Sequence, residues 1–106
     1  MSKIDLNFYL YFIDIEMEIH YIGAKWCKAC HTVKPLVKDL TEQAKLPFIE
    51  HDYDKLDEDK QKDIVKLPTV QLKQNGTVVE TFTTNIAANS LRIYLQSKKL
   101  LPEEEF

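Results

Sequence analysis

The strongest constraint in this chain is a change of apolar period. From residue 17 to 24 it reads MEIHYIGA, a short run with β-branched and aromatic content that predicts a largely buried strand. A few residues later the period becomes helical. Val33, Leu36, Val37, Leu40 and Ala44 recur every three or four residues and form the apolar stripe of a helix over 27–45. Pro35 lies inside that helix, removes one backbone donor and predicts a bend.

The alternation then repeats. PFIEHDY at 47–53 predicts a second buried strand, and KLDEDKQKDIVK at 55–66 predicts a solvated helix. Apolar and polar residues alternate over 69–74 and 77–83 around Asn75-Gly76, the strongest hairpin signal in the chain. Asn85 offers an N-cap to a last helix, whose stripe is Ala87, Leu91, Tyr94 and Leu95 and which runs to about Lys98. Residues 4–6 suit a short first strand, whereas 7–15 have no clean period and their state stays open. Strands alternating with helices imply right-handed crossovers, and the hairpin adds an antiparallel part. The expected fold is α/β: a central mixed sheet flanked by helices on both faces. The 106 residues allow one domain, 1–106, with an acidic tail at 102–106.

Composition narrows the function. The net charge of −3 disfavours nucleic acid, which calls for a basic patch. The apolar run from Phe8 to Ile13 is too short for a membrane span and lacks the flanks of a secretory signal. The expected location is therefore a reducing compartment such as the cytoplasm, where structural disulfides are rare. Two cysteines cannot make a disulfide scaffold in any case.

Those two cysteines form Trp26-Cys27-Lys28-Ala29-Cys30, placed where the first buried strand ends and the helix begins. At a helix N-terminus, unpaired N–H groups and the dipole favour a thiolate at Cys27, and Lys28 adds positive charge. Cys30, one turn on, can close a small and reversible disulfide ring. Cys27 would attack a substrate disulfide and Cys30 would resolve the mixed disulfide. Three other readings compete. An inert buried pair needs no chemistry. Cys27-Lys28-Ala29-Cys30-His31 fits the haem-attachment pattern, but both methionines precede it and the strands do not suit a small cytochrome. A zinc or iron–sulfur site would have to draw on His20, His31 and His51, which do not come as a second close pair.

The sequence resembles the thioredoxin family. The resemblance rests on Ala24-Lys25-Trp26-Cys27-Lys28-Ala29-Cys30, Pro35 in the same helix, Leu67-Pro68-Thr69 before the hairpin and Asn75-Gly76 within it, over about residues 17–98. It implies a thioredoxin-like fold with a shortened N-terminal part, and protein-disulfide oxidoreductase activity with Cys27 and Cys30 as catalytic residues. It also implies a cis Pro68 facing the disulfide. Trp26, Lys28, Ala29, Leu67, Pro68 and Thr69 are the implied substrate-binding residues. Protein substrates with disulfides or dithiols, a dithiol reductase or oxidant as electron partner, a monomeric state and no metal or organic cofactor complete the expectation. A binding or assembly module of the same fold, serving one dedicated partner, is the alternative.

The chain departs from the family pattern at telling positions. Tyr21 stands where the family carries a buried carboxylate beneath the disulfide, and Glu50 where it carries a lysine. Phe48, Glu50 and Asp52 share one face of their strand. Glu50, if buried there, would supply the missing carboxylate for a proton relay. Lys28-Ala29 replaces the usual Gly-Pro, and Thr83-Thr84-Asn85 occupies the region of a family glycine.

Overall fold

The computed structural model describes residues 17–102. The strand expected at 4–6, the open stretch 7–15 and most of the acidic tail lie outside the described residues.

A four-stranded sheet runs in the order β2-β1-β3-β4. Its strands are β1 (Met17–Gly23), β2 (Phe48–Asp52), β3 (Thr69–Gln74) and β4 (Thr77–Thr83). β1 pairs parallel with β2 and antiparallel with β3, and β3 pairs antiparallel with β4. This is the expected mixed sheet. β1 has a neighbour on each side, and that central place accounts for its continuous apolar run. β2 is half-buried where a buried strand was expected; among the described residues its ladder is with β1.

The sharp turn between β3 and β4 falls on Asn75 and Gly76, with φ of 53° and 83°. Two successive left-handed residues match the right-handed twist of a hairpin, which is why Asn-Gly marks it. β3 and β4 slip by one residue at a bulge beside Leu72 and Lys73.

Helix α1 (Lys28–Gln43) contains Pro35, and α3 (Ala87–Ser97) closes the fold. They touch each other and share one face of the sheet, α1 over β1 and β2 and α3 over β3 and β4. Ile19, Tyr21, Val70 and Leu72 from the sheet meet Val33, Val37, Leu91 and Leu95 from the helices, all buried. Each such aliphatic side chain contributes about 1.5–3 kcal/mol on leaving water. Both helices stop in the same way. Lys45 and Lys99 take left-handed φ of 59° and 61°. The following N–H groups then bond back: Leu46 to the Thr41 carbonyl at 3.1 Å, Leu100 to that of Leu95 at 2.8 Å. These are Schellman ends with lysine at the position glycine favours.

Two expectations need correction. The solvated helix of 55–66 shrinks to α2 (Glu58–Lys62), capped by Asp57, whose Oδ1 accepts the Lys60 N–H at 2.9 Å. Its sequence has no apolar stripe to bury, and short isolated helical segments are marginal. Nor does Asn85 cap the last helix. A 3₁₀ turn over Thr84–Ile86 leads into α3, and its N-cap residue is Ile86, with no side-chain cap. Among the described residues, no helix is long and apolar enough to cross a membrane.

Candidate active site

Cys27 is the N-cap of α1, and its backbone is extended at φ −88° and ψ 108°. Its N–H bonds to the Ala24 carbonyl at 3.1 Å, closing the turn that ends β1. The Cys27 Sγ accepts the Cys30 N–H at 3.2 Å, so a sulfur satisfies one of the helix's orphan donors. Cys27 and Cys30 are joined by a disulfide with Cα atoms 5.3 Å apart. Both are buried, and no acidic residue occupies the first turn to offset the dipole. A thiolate freed at Cys27 on reduction therefore meets a positive helix end.

The underside of the pair is built from β1 and β2. Tyr21 is buried and donates its hydroxyl to the Cys30 carbonyl at 3.1 Å. Burial, and then the charge of Glu50, push the Tyr21 phenol up to about 12, so it stays neutral. Gly23 makes room for the ring. A Cβ there would lie 2.9 Å from Tyr21 Cε1 and 3.3 Å from both Tyr21 Oη and Cys30 Sγ. A cavity of about 200 Å³ opens below, lined by Tyr21, Gly23, Cys30, His31, Lys34 and Glu50.

Register puts Glu50 beside Tyr21 on the helix-covered face, as its strand alternation predicts. The burial that the relay reading supposed is not complete. The side chain is about half exposed and pairs with Lys34 Nζ of α1 at 2.5 Å. The strand sets its direction, and the ion pair with Lys34 holds its carboxylate at the surface.

The front of the site is mostly apolar, with Lys66 among the residues that line it. Trp26 is 65% exposed. Its indole N–H is shared between the two carboxylate oxygens of Asp54 at 3.1 and 3.0 Å, and its ring stands edge-on to Tyr53. Asp54 is held in turn through its N–H by the Asp52 carboxylate at 3.0 Å. Trp26, Cys27, Tyr53, Ile64, Val65 and Leu67 line a groove of about 230 Å³.

The sequence-predicted residues divide accordingly. Trp26, Cys27 and Leu67 come together in the groove. Lys28 is exposed, while Ala29 packs on the core. The Leu67–Pro68 peptide is cis, as the resemblance implied. Pro68 and Thr69 are buried: the Pro68 carbonyl accepts the Thr84 N–H at 2.9 Å, and the Thr69 hydroxyl bonds the Lys66 carbonyl. Lys34, Gly23, Asp54 and the pair Ile64–Val65 were not singled out by sequence. Only the last left a signal there, an apolar pair closing a charged stretch; Val65 is 85% exposed.

The histidines form no ligand set with the cysteines among the described residues, although His31 and His51 line the cavity below Cys30. His31 donates Nε2–H to the Lys25 carbonyl at 2.9 Å. His20 and His51 lie on the opposite face of the sheet, stacked, with His20 Nδ1 2.8 Å from His51 Nε2 and His20 Nε2 3.0 Å from the Glu18 carboxylate. Among the described residues, no three His, Cys, Asp or Glu side chains stand close enough together to hold a metal ion.

Solved structures agree with this architecture. The oxidised thioredoxin of Plasmodium falciparum is 23% identical, with 92% of each chain covered and a TM-score of 0.66. The Fasciola hepatica thioredoxin is 21% identical over 89% of this chain and 91% of that one, with a TM-score of 0.69. The reduced Schistosoma mansoni thioredoxin pre-protein is 26% identical over 88% of this chain and 89% of that one, also with a TM-score of 0.69. Comparison with curated proteins finds no match. The thioredoxin family model matches residues 15–97. A helix-capping cysteine pair of this kind marks a thiol–disulfide oxidoreductase in general, and the chain belongs to the thioredoxin family.

Proposed function

We propose that the protein exchanges its Cys27–Cys30 dithiol/disulfide with disulfides or dithiols of protein substrates. The observation that carries this reading is the disulfide at the N-cap of α1, beside a groove walled by the exposed Trp26. In the reducing direction the Cys27 thiolate attacks a substrate sulfur. The substrate disulfide breaks, one substrate thiolate leaves, and a mixed disulfide forms. Cys30, as thiolate, then attacks the Cys27 sulfur. The second substrate thiolate leaves, so the substrate has gained an electron pair and the protein is left oxidised as the Cys27–Cys30 disulfide. A dithiol reductase restores the dithiol, and an oxidant partner runs the cycle in reverse.

Cys30 must lose a proton before it attacks. Glu50 takes that proton through the cavity below the pair, whose volume accommodates several waters at about 30 Å³ each. Trp26 and Leu67 receive the substrate chain, and the Pro68–Thr69 segment supports the groove from beneath. The apolar wall selects substrates with apolar residues beside their cysteine.

Reduction of insulin in the presence of a small dithiol tests the reading. Wild type should accelerate precipitation, and Cys27→Ser should abolish the acceleration. A folded wild-type protein without activity would overturn it and favour the dedicated binding module, whose partner Cys30→Ser would trap. Glu50→Gln should slow turnover and alter its pH profile; an unchanged profile eliminates the relay.

A further inference from the structure

The turn of α1 that carries both cysteines has a weak connection to the rest of its helix. Pro35 has no N–H, so the His31 carbonyl loses its helical donor one residue past Cys30. Among the described residues, two polar side-chain contacts tie the start of the helix to the sheet. One is the Lys34–Glu50 ion pair at the surface. The other is the buried Tyr21 hydroxyl on the Cys30 carbonyl. Tyr21 sits on β1, whose two flanking strands fix its backbone. Its ring fills space that exists only because residue 23 has no side chain. The hydroxyl acts on the backbone of Cys30.

We propose that Tyr21 is a positioning residue for the resolving step: it pins the Cys30 backbone to the sheet and so holds Cys30 Sγ within reach of a mixed disulfide at Cys27. While the disulfide is closed, the covalent bond itself sets the distance between the two sulfurs. Once Cys27 is bonded to a substrate sulfur, that cross-link is gone, and the effective concentration of the Cys30 thiolate depends on how firmly its stretch of backbone is held. Reacting atoms need to approach to about 3–3.5 Å, and small misplacements are costly in rate. The attack of Cys27 on a substrate uses the outer groove and does not depend on the Tyr21 hydroxyl.

This inference rests on the exchange reaction proposed above, and its test separates the two. Tyr21→Phe removes one oxygen and keeps the ring. Rapid mixing of the reduced protein with oxidised glutathione resolves two phases, mixed-disulfide formation at Cys27 and its resolution by Cys30. The expected result is an unchanged first phase and a second phase slowed roughly two- to tenfold, the range of one ordinary hydrogen bond. At equilibrium, glutathionylated Cys27 should rise by the same factor relative to the closed disulfide. Gly23→Ala, which keeps the hydroxyl but displaces the ring, should show the same split. A resolution rate and equilibrium equal to wild type would overturn the proposal. Equal slowing of both phases would overturn it too, since a loosened fold has that effect. Inactive wild type toward protein disulfides would defeat the proposed function yet leave this glutathione comparison intact.

Discussion

Substituting Gly23 tests how tightly the site is assembled. Gly23 is not in the left-handed region, so an alanine there meets no backbone penalty. The cost is steric. The new methyl would lie 2.9 Å from Tyr21 Cε1, closer than real Cβ atoms approach, and the ring must move. Overpacking of this kind costs about 1–3 kcal/mol. Displacing the ring also strips the hydroxyl from the Cys30 carbonyl, about 1 kcal/mol. Alanine recovers roughly 0.5–1 kcal/mol over glycine in a strand. The net loss is about 2 kcal/mol, a fall in Tm of roughly 8–16 °C for a domain of this size. Urea unfolding of the oxidised protein measures it. The decisive comparison adds Tyr21→Val, which deletes the clashing ring. Gly23→Ala in that background should be neutral or stabilising by a few tenths of a kcal/mol, because the remaining 3.3 Å approach to Cys30 Sγ yields to a small shift. The double-mutant cycle should therefore show a coupling of about 2–3 kcal/mol. Additive losses would refute the idea that Gly23 and Tyr21 are one fitted unit.

Other sites make separable predictions. Lys45→Gly and Lys99→Gly, at the left-handed helix ends, should each raise stability by about 1 kcal/mol in urea titrations, since only glycine takes that conformation without strain. Burial, then the charges of His20, Lys73 and Lys60, hold the His51 imidazole below its ordinary pKa. The unfolded chain therefore binds this proton first as pH falls below about 6.5, and stability should decline from there until the folded His51 also protonates. His51→Gln should flatten that slope in urea midpoints taken between about pH 8 and 5, and an unaltered slope would exclude His51 as its source. Asp54→Ala frees the indole of the single tryptophan, so Trp26 fluorescence anisotropy should fall. Stability should change by no more than about 0.5 kcal/mol, as for other surface contacts.

The parts of this fold visible in the sequence are those governed by local period. β1, α1 and the β3–β4 hairpin follow from residues that each bury one face or require one turn. The cysteine pair was legible for the same reason, since a strand-to-helix switch fixes where a helix N-terminus falls. What stayed hidden depends on distant partners. The direction of Glu50 followed from strand alternation, but its ion pair with Lys34, sixteen positions away on a helix, did not. The grip of Asp54 on Trp26 needs the 3₁₀ turn after β2, and the stacking of His20 on His51 needs the parallel register of β1 and β2. Asn85 looked like a cap because its side chain suits one. The left-handed Thr84, at φ 65°, turns the chain so that α3 begins two residues later.

The groove and the cavity open on different sides of one disulfide, the groove at Cys27 and the cavity at Cys30. Traffic at the two sulfurs is thereby separated. In the exchange proposed above, a protein docked over Trp26 would cover the door through which electrons pass and leave uncovered the one through which the proton departs. On that proposal, a bulky client would remain seated for the whole exchange without sealing Cys30 away from solvent.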